Sequence, residues 1–348
     1  MKYILKCLSC GENFGSEYDK QICKYCDGIL DVVYIQKPLF VDKMKSFWDF
    51  ERLMPNSTYQ HYDVGDTRLI KQDNNLYIKK EFDNPTHSFK DRGSVVEIAK
   101  AIEYGYDEIV CASTGNMAYS LAYYGKLMGL KLRVFISSNA NKDKIRNIKK
   151  IHDAVIINVD GDFTKAQHMA LAYSKKTGCF LVGDYCYRKE GQRSVSYELA
   201  YQIKDLDAVF IPIGNATLFS AMFKGFNELY NFGIIKKIPK MIGAQAKNCA
   251  PVANAIKSKK ITYVKPKTAA DAIAVGMPTY GYEALSAIKS TVGDIGVISE
   301  KDLVDAQSYF YKQYGLIAEL GGIAALAVYK KFNFSNQRSA IIVTGSNI

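Results

Sequence analysis

Between residues 95 and 245 short apolar runs alternate with longer amphipathic ones. The apolar runs, read as strands, cover 108–112, 132–136, 154–159, 180–182, 208–213 and 240–246. Helical periodicity fills the gaps at 118–128, 142–151, 163–175, 194–203 and 218–230. Strands apolar along their whole length must be covered on both faces, and helical crossovers supply that cover. The pattern therefore predicts an α/β fold with parallel sheets. A dinucleotide-binding protein would show the same alternation, but no GxGxxG lies between a strand and a helix. With 348 residues the chain can hold two moderate domains and a small module.

Just before this run stands Asn84-Pro85-Thr86-His87-Ser88-Phe89-Lys90-Asp91-Arg92-Gly93. A strand pattern at 76–82 precedes it. A helix pattern at 94–104 follows, with Val95, Val96, Ile98, Ala99 and Ile102 on one face. Lys90 thus falls at a strand-to-helix corner punctuated by Pro85 and Gly93. A lysine amine attacks carbonyl carbon when desolvation or nearby cations lower its pKa. The plain alternative is a solvated lysine at a helix start.

Two further strand-to-helix loops can carry chemistry. Ser113-Thr114-Gly115-Asn116-Met117 offers N–H groups and hydroxyls to an anion, or simply caps its helix. Gly214-Asn215-Ala216-Thr217-Leu218 offers converging N–H donors at a positive helix end, which suits a phosphate. Between them, Arg188 can pair with Asp184 or Glu190.

At the N-terminus Cys7, Cys10, Cys23 and Cys26 form CxxC–x12–CxxC. Two such knuckles place four thiolates around zinc and leave no open position, so the metal is read as structural. Residues 1–36 have no core of their own, and the metal would supply their folding free energy. A redox dithiol pair is the competing reading. Cys111, Cys179, Cys186 and Cys249 are isolated and expected to be buried.

The formal net charge is +11, with the basic residues scattered. That distribution suits a solvated surface or the steering of small anions better than a nucleic-acid stripe. No apolar run approaches the roughly 18–20 residues that span a bilayer. Residues 1–5 lack the long apolar centre of a signal peptide, which predicts a cytoplasmic protein with no membrane partner.

These motifs, in order, resemble the threonine synthases and their relatives among fold-type II pyridoxal-phosphate enzymes. Residues 84–93 resemble Asn-Pro-Thr-Gly-Ser-Phe-Lys-Asp-Arg-Gly, with His87 at a glycine position. Residues 113–117 resemble Ser-Thr-Gly-Asn-Thr, 214–218 Gly-Asn-Gly-Gly-Asn, and 188–192 Arg-x-Glu-Gly-Gln. Residues 318–327 are similar to Ala-Glu-Pro-x-x-Ala-Ala-x-Ala, which puts Glu319 near the pocket or at a helix cap. The cysteine ribbon is also similar to the family's.

The resemblance implies two three-layer α/β domains behind a small zinc ribbon. Residues 37–95 and 206–348 would form the large cofactor-binding domain, and 96–205 a smaller inserted one. It implies that Lys90 holds pyridoxal 5'-phosphate covalently and serves as the catalytic base. Asn116 would lie beside the cofactor's phenolic oxygen. Gly214, Asn215, Ala216, Thr217 and Leu218 would bind its phosphate. Thr344 would meet its ring nitrogen, and Ser346 offers the same hydroxyl two residues on. Ser113, Thr114 and Gly115 would bind the substrate carboxylate and Arg188 the substrate phosphate. Met117, Val182 and Gly183 stand where the family has polar residues around that phosphate.

The implied reaction converts O-phosphohomoserine and water to L-threonine and phosphate, in a homodimer with a small amino-acid substrate. A divergent lyase or β-replacement enzyme acting on another amino acid or phosphoamino acid is the second reading. A cofactor-free scaffold or nucleic-acid-binding protein is the reading from a different class.

Overall fold

The computed structural model describes residues 2–35, 46–55, 60–113, 115–137, 142–332, 334 and 336–346, with backbone only for 142–144. The first strands are β1 (Tyr3–Cys7), β2 (Asn13–Gly15) and β3 (Leu30–Tyr34). They are followed by β4 (Leu69–Lys71), β5 (Leu76–Lys80) and helix α1 (Lys90–Glu103). Next come β6 (Glu108–Ala112), α2 (Asn116–Leu127), β7 (Lys131–Ser137) and α3 (Lys142–Ile151). Then β8 (Val155–Val159), α4 (Phe163–Thr177), β9 (Phe180–Leu181) and α5 (Cys186–Gln192) follow. The chain continues with α6 (Ser194–Gln202), β10 (Ala208–Pro212), α7 (Thr217–Asn231), β11 (Lys240–Ala246) and α8 (Pro251–Ser258). It ends with α9 (Gly281–Ser290), β12 (Asp294–Ile298), α10 (Glu300–Tyr314), α11 (Leu320–Tyr329) and β13 (Ser339–Val343).

The chain divides into two compact units, Met1–Val64 with Lys90–Gln192, and Gly65–Phe89 with Arg193–Ile348. In the first, the ribbon is an antiparallel sheet of order β2-β1-β3, and a second, parallel sheet runs β8-β7-β6-β9. Val110, Ala112, Phe135, Val159, Ala166, Ala170, Leu181 and Tyr185 form a core between that sheet and α4. In the second unit the sheet runs β12-β11-β10-β13-β5-β4, parallel except for β4. Every residue of β10 and β13 is buried, as strands covered by helices on both faces require.

The expected elements at 142–151 and 240–246 form with those bounds. The strand expected at 76–82 stops at Lys80, and Glu81–Asp83 wind into a 3-10 turn. There the buried Glu81 carboxylate accepts from Thr67 Oγ1 at 2.7 Å, which draws the chain out of the sheet. The helix expected from Ser94 begins four residues earlier, at Lys90. It is buried almost all round rather than on one face, because α2 and α5 both pack against it. Ile102, expected on the apolar face, is 44% exposed. Of the isolated cysteines Cys111, Cys186 and Cys249 are buried, whereas Cys179 is only partly covered.

Candidate active site

Lys90 is the first residue of α1, and its amine lies 3.7 Å from the Asp184 carboxylate. The neighbouring α5 approaches α1 so closely that glycine is required on both helices. A Cβ on Gly93 would meet Arg188 Cγ at 2.5 Å, and one on Gly191 would meet the Arg92 carbonyl oxygen at 1.9 Å. That approach explains why both local motifs carry a glycine.

Arg188 uses the close approach. Its Nη1 donates to the Lys90 carbonyl at 3.1 Å, its Nε to the Gly183 carbonyl at 2.9 Å and its Nη2 to Ser94 Oγ at 3.2 Å. Nη2 also sits 2.5 Å from Glu97, with both side chains fully buried. Of the two readings for Arg188, the ion pair is present, but its partner is Glu97 rather than Asp184 or Glu190. Glu190 instead accepts from Tyr34 Oη at 2.5 Å. Burial pushes the Glu97 carboxyl up to about 7 despite the adjacent guanidinium. Glu97 was missed in the sequence. The available signal was a charged residue flanked by Val96 and Ile98 in an otherwise apolar stretch.

In the 113–117 loop, Ser113 Oγ accepts from Gly115 N at 3.1 Å and from Ala118 N at 3.0 Å. Ser113 thus braces the start of α2 from two residues before its N-cap, Gly115, which itself has no side-chain cap, and the hydroxyl keeps its proton to donate. Asn116 opens α2 and is partly buried. Thr114 lies outside the described residues. Met117 and Val182 are buried. A Cβ on Gly183 would lie 3.4 Å from the Tyr185 ring and 3.7 Å from Met117 Cε, so this corner is apolar.

In the second unit, Gly214 passes close beneath Ala272, where a Cβ would stand 3.0 Å from a carbonyl oxygen. Asn215 fixes the loop, its Oδ1 accepting from Thr279 N at 3.3 Å and Thr279 Oγ1 at 3.2 Å. Ala216 adopts φ +62°, the left-handed form that glycine takes without cost. Thr217 and Leu218 open α7, whose buried first turn has no side-chain cap. Buried N–H groups at a helix start need a partner, and an anion satisfies several of them at once.

The last strand leads into Thr344, whose carbonyl accepts from Phe89 N at 3.0 Å. Ser346 N donates to the His87 carbonyl at 3.0 Å. His87 itself holds φ +57°, so the histidine keeps the backbone form suited to the family's glycine. Among the described residues, Ser346 Oγ is buried without a hydrogen-bond partner. Glu319 occupies the N-cap position of α11, but its side chain makes no cap bond.

The ribbon cysteines Cys7, Cys10, Cys23 and Cys26 bring their sulfur atoms within 4.8 Å of one another. Each knuckle repeats one pattern. Cys7 N donates to Glu12 O at 2.8 Å and Gly11 N to Cys7 O at 3.1 Å. Cys23 N donates to Gly28 O at 2.8 Å and Asp27 N to Cys23 O at 3.0 Å.

The family model for pyridoxal-phosphate dependent enzymes matches residues 62–345. This chain belongs to that family. Among curated relatives, the threonine synthase of Methanosarcina acetivorans is 33% identical over 94% of this chain and 86% of its own length. That of Methanocaldococcus jannaschii is 31% identical over 94% of this chain and 87% of its own. Maize serine racemase superposes with a TM-score of 0.69 at 23% identity, covering 81% of this chain and 88% of that one. The fold is the fold-type II arrangement of this family. The uncapped start of α7 and the orphaned Ser346 hydroxyl fit the anionic arm and the ring nitrogen of pyridoxal phosphate.

Proposed function

We propose that this chain performs the threonine synthase reaction, converting O-phosphohomoserine and water to L-threonine and phosphate. The observation that carries the reading is the likeness to threonine synthases across nearly the whole chain. Bound pyridoxal phosphate supplies an electron sink for charge developing at the substrate α-carbon. Lys90 holds the cofactor and, once released by the substrate amine, moves protons at the substrate carbons. The start of α7 and the 214–218 loop hold the cofactor phosphate, and Asn116 lies beside its phenolic oxygen. A hydroxyl from Thr344 or Ser346 meets the ring nitrogen and leaves it largely neutral. Ser113, Thr114 and Gly115 take the substrate carboxylate through N–H and O–H donors.

Arg188 acts in this scheme by fixing the first turn of α1, since its donors already serve Lys90, Gly183 and Ser94 and its charge is paired with Glu97. The four ribbon cysteines hold a structural zinc. The chain works as a homodimer in the cytoplasm. Among the described residues no helix is long and apolar enough to cross a membrane.

The apolar corner made by Met117, Val182 and Gly183 favours a second reading, a related lyase or β-replacement enzyme with another leaving group. Phosphate release from O-phosphohomoserine by the purified yellow protein separates the two. Release abolished in Lys90→Ala, with loss of the visible band, supports the proposal. A folded yellow protein that releases no phosphate rejects it.

A further inference from the structure

Lys90 has a carboxylate neighbour to which the scheme above gives no task. Asp184 stands 3.7 Å from its amine with a side chain only 5% exposed. The turn that carries Asp184 is clamped. Gly183 N donates to Glu97 Oε1 at 2.8 Å, and Gly183 O accepts from Arg188 Nε at 2.9 Å. Gly183 takes φ +148°, a form that disfavours a side chain, and Tyr185 N closes the turn on Gly183 O at 2.8 Å. Arg188 Nη1 holds the Lys90 carbonyl as well. One buried ion pair therefore fixes the backbone on both sides of the gap between amine and carboxylate.

We propose that Asp184 is a catalytic residue that accepts the proton Lys90 has taken from the substrate and readies the amine for a second one. The inference rests on the reaction proposed above. A leaving group on the γ-carbon departs only after protons have gone from both the α- and the β-carbon. Lys90 takes the α-proton and becomes an ammonium, which cannot act again as a base. Transfer of that proton to Asp184 breaks an N–H bond, forms an O–H bond and regenerates the amine. The β C–H bond then breaks toward Lys90. Two protons are then held, one on Lys90 and one on Asp184. Once the phosphate has left, Lys90 gives its proton to the γ-carbon and is reprotonated from Asp184. Water adds at the β-carbon, its spare proton going to the departed phosphate, and Lys90 returns the second proton to the α-carbon, so carboxylate and amine end as they began. Free-enzyme distances somewhat above hydrogen-bond length are usual for such pairs before substrate closes them.

The test uses the holoenzyme in heavy water with L-2-aminobutyrate, which has α- and β-protons but no leaving group. Exchange at each carbon is followed by proton NMR. Wild type exchanges both. Asp184→Asn keeps α-exchange within about threefold and slows β-exchange by about 100-fold, the scale of a lost acid–base group. Asp184→Glu recovers a large part of the loss. Equal rates at both carbons in wild type and Asp184→Asn overturn the proposal, as does equal slowing at both. Wild-type exchange at neither carbon overturns the proposed reaction itself.

A second readout needs no turnover. Pyridoxal phosphate is added to the cofactor-free protein at pH 7, the Lys90 adduct is trapped with borohydride, and attachment is measured by mass spectrometry. Removing the carboxylate favours the neutral amine, so Asp184→Asn attaches the cofactor about threefold to tenfold faster. An unchanged rate overturns the pairing. Asp184→Ser serves for both readouts if the amide disturbs the turn.

Discussion

The Arg188 guanidinium lies 2.5 Å from the Glu97 carboxylate in a place that excludes water from both. Through this pair α5 holds the first turn of α1, and with it the backbone of Lys90. Removing one partner of such a buried pair leaves an uncompensated charge, at a typical cost of about 3–5 kcal/mol.

That pair gives stability a pH dependence. The Glu97 carboxyl is raised from 4.5 to about 7 in the folded protein. The native state thus binds this proton more tightly than the unfolded chain does. Stability contributed by the proton is fully present below 4.5 and is lost as pH rises toward about 7. The slope is at most about 1.4 kcal/mol per pH unit. Urea midpoints measured from pH 4.5 to 8 should show this fall in wild type and a flatter profile in Glu97→Gln. Parallel profiles would count against the raised carboxyl.

Gly191→Ala tests the close approach of the two helices. Its Cβ would overlap backbone, the Arg92 carbonyl at 1.9 Å, and backbone cannot rotate away. Destabilisation of about 3 kcal/mol or more is expected, at or beyond the upper end of ordinary overpacking. A thermal midpoint within a degree of wild type would refute the packing argument.

His87→Gly should act in the opposite direction. His87 is exposed and sits at φ +57°, where a side chain adds strain. Relief of that strain is worth about 1 kcal/mol, less the extra entropy that glycine brings to the unfolded chain. Denaturant titration should show a protein at least as stable as wild type. A clear loss would mean that the imidazole makes a contact worth more than the strain.

Metal removal should reach beyond the ribbon. Gln21 donates to the Leu181 carbonyl at 2.6 Å and accepts from Tyr187 N at 3.2 Å, and Asp31 pairs with Lys189 at 3.0 Å. These contacts fasten the ribbon to β9 and α5. Elemental analysis should find one zinc per chain. Chelation or Cys10→Ser should then raise amide hydrogen exchange in Cys186–Gln192 by about tenfold or more, as the docked surface opens. Unchanged exchange in α5 after full zinc loss would separate ribbon from helix.

Periodicity and turn chemistry made much of this chain legible. The strand and helix runs are local patterns, and each announces itself within about ten residues. Lys90, Asn116 and Thr217 were found because a strand ending at a helix start is a recognisable corner. The true start of α1 was not legible, because the charged Asp91 and Arg92 stand ahead of the apolar periodicity that begins at Ser94. They are buried because α2 and α5 close around them.

The amino-acid sequence alone determined the α/β class, the family, the lysine corner and the cysteine knuckles. Each depends on neighbours along the chain, where spacing sets geometry directly. Tertiary structure alone decided that Arg188 meets Glu97, that Asp184 faces Lys90 and that Ser346 keeps a hydroxyl unpartnered among the described residues. Gly183 and Glu97 are bonded although they stand 86 positions apart in sequence. No local propensity encodes such a pairing, which comes into being only when packed helices bring the groups together and exclude the water that would otherwise satisfy each one separately.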